Sequence, residues 1–141
     1  MIKFNILFRA CEKERRDKTN RPYGLNKTQI IKVSFYSIYQ AIQGMSYKFV
    51  VVGDDLSQGL LNFFSLFDDI IIDNDNLGSA SKSLQKQIDL ALEVSDEEWV
   101  YMCEDDYLHT PYSFQYISEF VGNKEQYIKA SGGRKNYMNR L

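Results

Sequence analysis

Apolar residues recur along the chain in two rhythms, and the rhythms take turns. Ile2, Phe4, Ile6 and Phe8 alternate with Lys3, Asn5 and Leu7, the period of two expected of a strand over residues 3–8. A polar loop is expected from Arg9 to about Leu25, with Pro22 and Gly24 as breakers. Asn26 then stands three residues before Gln29, the spacing of a capping box. Ile31, Phe35, Ile38 and Ile42 follow at helical spacing, and Gly44 suits the stop. Phe49-Val50-Val51-Val52 predicts a strand buried on both faces, ending in Gly53-Asp54-Asp55. A helix is expected over residues 58–67, then a strand at Ile70-Ile71-Ile72 that runs into Asp73-Asn74-Asp75-Asn76. Residues 79–93 form the clearest helical segment, with Ala80, Leu84, Ile88 and Ala91 as the predicted buried stripe. Residues 98–103 predict a fourth strand, leading straight into Glu104-Asp105-Asp106. Pro111 suits the first turn of another helix, to about Val121, and Tyr127-Ile128-Lys129-Ala130 predicts a fifth strand before Gly132-Gly133.

Strands that alternate with helices imply an α/β fold, a three-layer sandwich whose mainly parallel central sheet is covered on both faces. With 141 residues and no repeat, low-complexity tract or linker, residues 1–141 read as a single domain.

Charge and cysteine content narrow the function classes. There are 17 basic and 19 acidic residues, a net charge of -2, which argues against a nucleic-acid-binding surface. The stretch Lys13-Glu14-Arg15-Arg16-Asp17-Lys18 mixes both signs and reads as a solvated loop. Cys11 and Cys103 form no Cys-x-x-Cys pair and read as buried thiols in a reducing compartment. The amino terminus lacks the apolar run of a signal peptide, and no stretch approaches the ~20 apolar residues of a transmembrane helix. A cytoplasmic location is expected, with no transmembrane segment.

The candidate chemistry lies at the predicted carboxyl ends of the strands, where open parallel sheets bind ligands. Arg9 follows the first strand, Asp54 and Asp55 the second, Asp73 and Asp75 the third, and Glu104, Asp105 and Asp106 the fourth. Gathered acids call for a cation, and Mg²⁺ or Mn²⁺ suits them because it takes one or two carboxylates and completes its shell with phosphate oxygens and water. The structural alternative is that these acids cap helices and shape turns, which is the expectation for Asp73 and Asp75. His109, the one histidine, reads as incidental, and Trp99 as core.

Three short segments, taken in order, resemble signatures of family 2-like glycosyltransferases of the GT-A fold. They are Val51-Val52-Gly53-Asp54-Asp55-Leu56-Ser57, Asn76-Leu77-Gly78-Ser79-Ala80-Ser81-Lys82, and Tyr101-Met102-Cys103-Glu104-Asp105-Asp106 with Pro111 beyond. The resemblance implies a Rossmann-related nucleotide-diphospho-sugar transferase fold that binds a nucleotide-diphosphate sugar, with a UDP-sugar expected. It implies that Asp55 meets the base and Asp54 supports the turn. It also implies that Lys82 touches the nucleotide and that Asp105 serves the ribose or phosphate side. Glu104 and Asp106 are implied as the metal ligands of an Asp-x-Asp-type motif. Lys82 reads equally as a solvated helix lysine. The first signature departs from the family's Pro-Thr-Tyr-Asn-Arg pattern, since this chain has Phe8-Arg9-Ala10-Cys11-Glu12. Arg9 is a candidate nucleotide contact, and Tyr23 reads as packing.

The resemblance covers the donor half of the family fold. The catalytic base and the acceptor of such enzymes belong to segments that extend past Leu141, and Glu119 and Glu125 make weak substitutes. Three expectations stay open: a truncated enzyme, a short chain completed by a partner subunit, or a non-catalytic nucleotide-sugar-binding module. A receiver-like signalling domain or an Asp-x-Asp phosphatase would need its acids after the first strand, where Arg9 stands.

Overall fold

The computed structural model describes residues 1–13 and 22–130. In chain order the elements are β1 (Lys3–Cys11), α1 (Lys27–Ile42), β2 (Ser46–Asp54), α2 (Gln58–Phe64), β3 (Ile70–Asp75), α3 (Ala80–Leu92), β4 (Trp99–Glu104) and α4 (Ser113–Ala130). The four strands form one sheet in the order β3-β2-β1-β4, and every neighbouring pair is parallel. The chain therefore builds outward from β1 to β3, then crosses back to place β4 on the other side of β1. That reversal opens a crevice at the carboxyl ends of β1 and β4, the usual ligand position in such sheets.

The capping box expected at Asn26 and Gln29 is formed and starts α1. One sheet face presents Phe4, Phe8 and Phe49, all buried, to Phe35 of α1, Phe64 of α2 and Phe114 of α4. Phe35 is fully buried, with six aromatic rings around it at centroid distances of 4.9 to 5.9 Å. The opposite face carries Leu7, Val50 and Val52, packed against Leu90 and Ala91 of α3. The result is three layers, with a larger core on the α1 side.

Four expectations are corrected. Residues 127–130 continue α4 as helix and do not form a fifth strand. The helix runs on through Gly122 and Asn123, which do not end it. β1 extends through Cys11, so Arg9 lies within the strand and not after it. Finally, α3 buries Ser83 and Gln87, whereas Leu84 and Ile88 of the expected stripe are exposed. The reason is that Gln87 donates hydrogen bonds to Leu7 O and Cys103 O, at 2.7 and 3.2 Å, so the polar edge of the helix faces the sheet. α2 ends at Phe64, three residues before the predicted boundary.

Replacing Phe35 with alanine should cost about 3–5 kcal/mol of stability. Denaturant unfolding of the purified chain measures this, and a loss below about 1 kcal/mol would mean that the ring cluster is not the core.

Candidate functional site at the carboxyl ends of β1 and β4

Parallel register sets Arg9 beside Glu104 across the β1–β4 pair. Both side chains point to the α3 face, and they form an ion pair. The Arg9 Nη1 also donates to Ala80 O in the first turn of α3, at 3.3 Å. The next residue, Asp105, lies in the turn just past β4 and faces α1. There it is buried, accepting from Lys27 Nζ at 2.5 Å and from Cys11 N at 2.9 Å. Burial pushes the Asp105 carboxyl above its ordinary value, against the opposing pull of Lys27 and the Cys11 amide. Asp106 lies in the turn beyond and is exposed.

The loop after β2 is built on close contacts. Gly53 has no room for a side chain, because a Cβ there would lie 2.6 Å from Asn74 Oδ1 and 2.7 Å from Leu56 Cδ1. Asn74 Oδ1 in turn accepts from Leu56 N at 3.0 Å. Asp54 is buried and accepts from Leu77 N and Gly78 N at 2.8 and 3.1 Å, so it fastens the loop that enters α3. Asp55 takes a left-handed backbone at φ 52, a conformation that aspartate tolerates better than most residues. Its exposed carboxylate pairs with Lys13 at 3.2 Å. Lys82, on the first turn of α3, is exposed, and its amide is capped by Ser79.

The site residues expected from sequence thus divide. Arg9 and Glu104 pair with each other, while Asp54 and Asp105 are held by separate hydrogen bonds, to Leu77 and Gly78 and to Lys27 and Cys11. Asp55, Lys82 and Asp106 stand exposed at the rim of the crevice. Asp73 and Asp75 both bind Lys86, at 2.5 and 2.6 Å, and lie inside β3, so they neither follow that strand nor cap a helix or shape a turn as expected. His109 hydrogen-bonds Tyr101 at 2.9 Å and stacks on Phe114, and burial lowers its pKa, so it belongs to the packing. Tyr23 is almost fully exposed, so among the described residues it does not take the packing role expected of it. Cys103 is a buried free thiol, while Cys11 is half-buried. Arg15, Arg16, Asp17, Lys18 and Arg21 lie outside the described residues, as do Gly132 and Gly133.

Sequence reading missed Lys27, Glu12 and Lys86. Lys27 opens α1, and a helix that follows a strand places its first turn at the carboxyl rim of the sheet, so its position held the signal. Glu12 accepts from Ser57 N at 2.6 Å and from Thr28 Oγ1 at 2.8 Å. Burial favours its neutral form, but these bonds and Lys32 outweigh that and hold its carboxyl below the ordinary value.

Glu104 and Asp106 are the carboxylates implied for a metal ion. Among the described residues no group of three His, Cys, Asp or Glu side chains could hold one. The pair therefore does not make a closed protein cage. An ion held there would need phosphate oxygens and water to complete its shell.

No protein-family model, curated protein or solved structure matches the chain. Among the described residues, no helix is long and apolar enough to cross a membrane.

Two measurements check this geometry. Gly53→Ala should destabilise the fold by about 1–3 kcal/mol through overpacking against Leu56 and Asn74. A thermal midpoint equal to the parent's would refute that close approach. In carboxyl NMR titrations Asp105 should titrate above its ordinary value, and higher still in Lys27→Met, because the pair with Lys27 favours the charged form. A midpoint indifferent to the substitution would show that the Lys27–Asp105 pair does not form.

Proposed function

We propose that the chain binds a nucleotide-diphosphate sugar and belongs to a family 2-like glycosyltransferase of the GT-A fold. The observation that carries this reading is the hydrogen-bonded junction of the signature segments. Asp54 of the first holds Leu77 and Gly78 of the second. Arg9 links Ala80 of the second to Glu104 of the third. Segments far apart in sequence therefore meet at the crevice where the strand order reverses, as a shared ligand would require.

In this reading Arg9 and Lys82 meet the phosphates, Asp55 the base, and Asp105 fixes the position of the β4 rim through Lys27 and Cys11. Glu104 and Asp106 would hold Mg²⁺ or Mn²⁺, which would neutralise the leaving diphosphate when bound. Transfer with inversion forms a bond from the sugar's anomeric carbon to an acceptor oxygen as the bond to the diphosphate oxygen breaks. The acceptor proton needs a base. Glu119, the acid of α4 whose side chain is described, is exposed and hydrogen-bonded to Gln115 at 3.4 Å. The side chain of Glu125 lies outside the described residues. The exposed, Gln115-bonded position of Glu119 favours a second reading, a nucleotide-sugar-binding module or subunit without turnover of its own.

Calorimetric titration with UDP and then GDP, each with and without Mn²⁺, tests the proposal. Metal-dependent binding in the micromolar-to-millimolar range is expected, and Asp106→Ala should weaken it on the order of tenfold, the loss of a charged contact. A folded protein that binds neither nucleotide would refute the proposal. Binding without release of sugar to any acceptor would select the second reading.

A further inference from the structure

The ion pair between Arg9 and Glu104 is unequal. The Arg9 side chain is 15% exposed, whereas that of Glu104 is 49% exposed. Apart from Glu104, the guanidinium donates to one backbone oxygen, Ala80 O, and its Nε is buried with no partner among the described residues. A cation so placed cannot do without an anion, because little water reaches it. Glu104 has no such need. It can turn outward into solvent and keep its charge hydrated. The pair can therefore be exchanged from one side only, by another anion that takes the place of the carboxylate.

A phosphate meets that requirement. It accepts paired hydrogen bonds from guanidinium as a carboxylate does, and carries more charge. Ala80, to whose carbonyl Arg9 donates, is the first residue of α3, so an anion at Arg9 would also lie near the amino end of a 13-residue helix.

We propose that Glu104 is a stand-in anion that occupies Arg9 until the diphosphate of a nucleotide displaces it. This rests on the nucleotide-diphosphate reading above and adds an order of events to it. The displaced carboxylate is then free to join Asp106 on a divalent ion. Without metal, Glu104 competes with phosphate for the guanidinium. With metal, the same carboxylate is drawn away, and the competition ends. Nucleotide and ion thus assist each other's binding through a side-chain exchange, in addition to their direct contact.

The test uses Glu104→Gln, which removes the competing charge and keeps the shape. UDP is titrated into parent and variant in the presence of EDTA, and again with Mn²⁺. The variant should bind UDP in EDTA about five- to tenfold more tightly than the parent, and should lose most of the gain that Mn²⁺ gives. A plain metal ligand would show the second change without the first. Adding Arg9→Gln to the variant should abolish the gain in EDTA, with circular dichroism confirming the fold. Equal or weaker UDP binding by Glu104→Gln in EDTA would overturn the exchange while leaving nucleotide binding in place. A parent protein that binds neither UDP nor GDP with Mn²⁺ would remove the underlying reading, and the exchange with it.

Discussion

The register between β1 and β4 sets the charge relations of the whole crevice. Phe4 pairs with Trp99, Ile6 with Tyr101 and Phe8 with Cys103, and all of these side chains lie on the face that packs against the large core. Sliding β4 by one residue would turn Trp99, Tyr101 and Cys103 out of that core. Burial of apolar surface therefore holds the register. The register in turn brings Arg9 beside Glu104 at the rim. The hydrophobic core thus decides which charged side chains meet at the site.

The end of β4 then separates acids that are adjacent in sequence. Glu104 goes to the α3 face and meets Arg9, while Asp105 goes to the α1 face and meets Lys27. Asp54 needs no cation because two backbone amides satisfy it. The gathered acids raised the expectation of a divalent ion. Much of the charge that prompted it is balanced by this chain's own side chains and amides, while Asp106 stands exposed at the rim. Removing one partner of the buried Lys27–Asp105 pair would leave an uncompensated charge, so the pair also fixes where α1 begins relative to β4.

The sequence made the strand-helix order legible because each strand is a short apolar run that ends in turn residues. It made the carboxyl-end acids legible for the same reason, since they follow those runs directly. The partners of the acids were not legible. Lys27 lies 78 residues from Asp105, and only the three-dimensional packing of α1 brings them together. The helical tail at residues 127–130 was misread because Tyr-Ile-Lys-Ala suits either structure over so short a span, and the preceding helix decides it. The face of α3 was misread because hydrophobic spacing assumes that the sheet below offers apolar atoms alone.

That last misreading bears on the site. The sheet beneath α3 offers two carbonyls, Leu7 O on β1 and Cys103 O on β4, and the buried amide of Gln87 donates to both. The contact spans the two strands between which the chain order reverses. It locks the helix to those strands by directed bonds, which fix position more closely than apolar contact does, and Leu84 and Ile88 are left exposed as a result. The same strands carry Arg9 and Glu104 one residue beyond Phe8 and Cys103. The amino end of α3 and the guanidinium that reaches it are therefore held from a common base. At that base Arg9 is the enclosed member of the ion pair and Glu104 the half-exposed one.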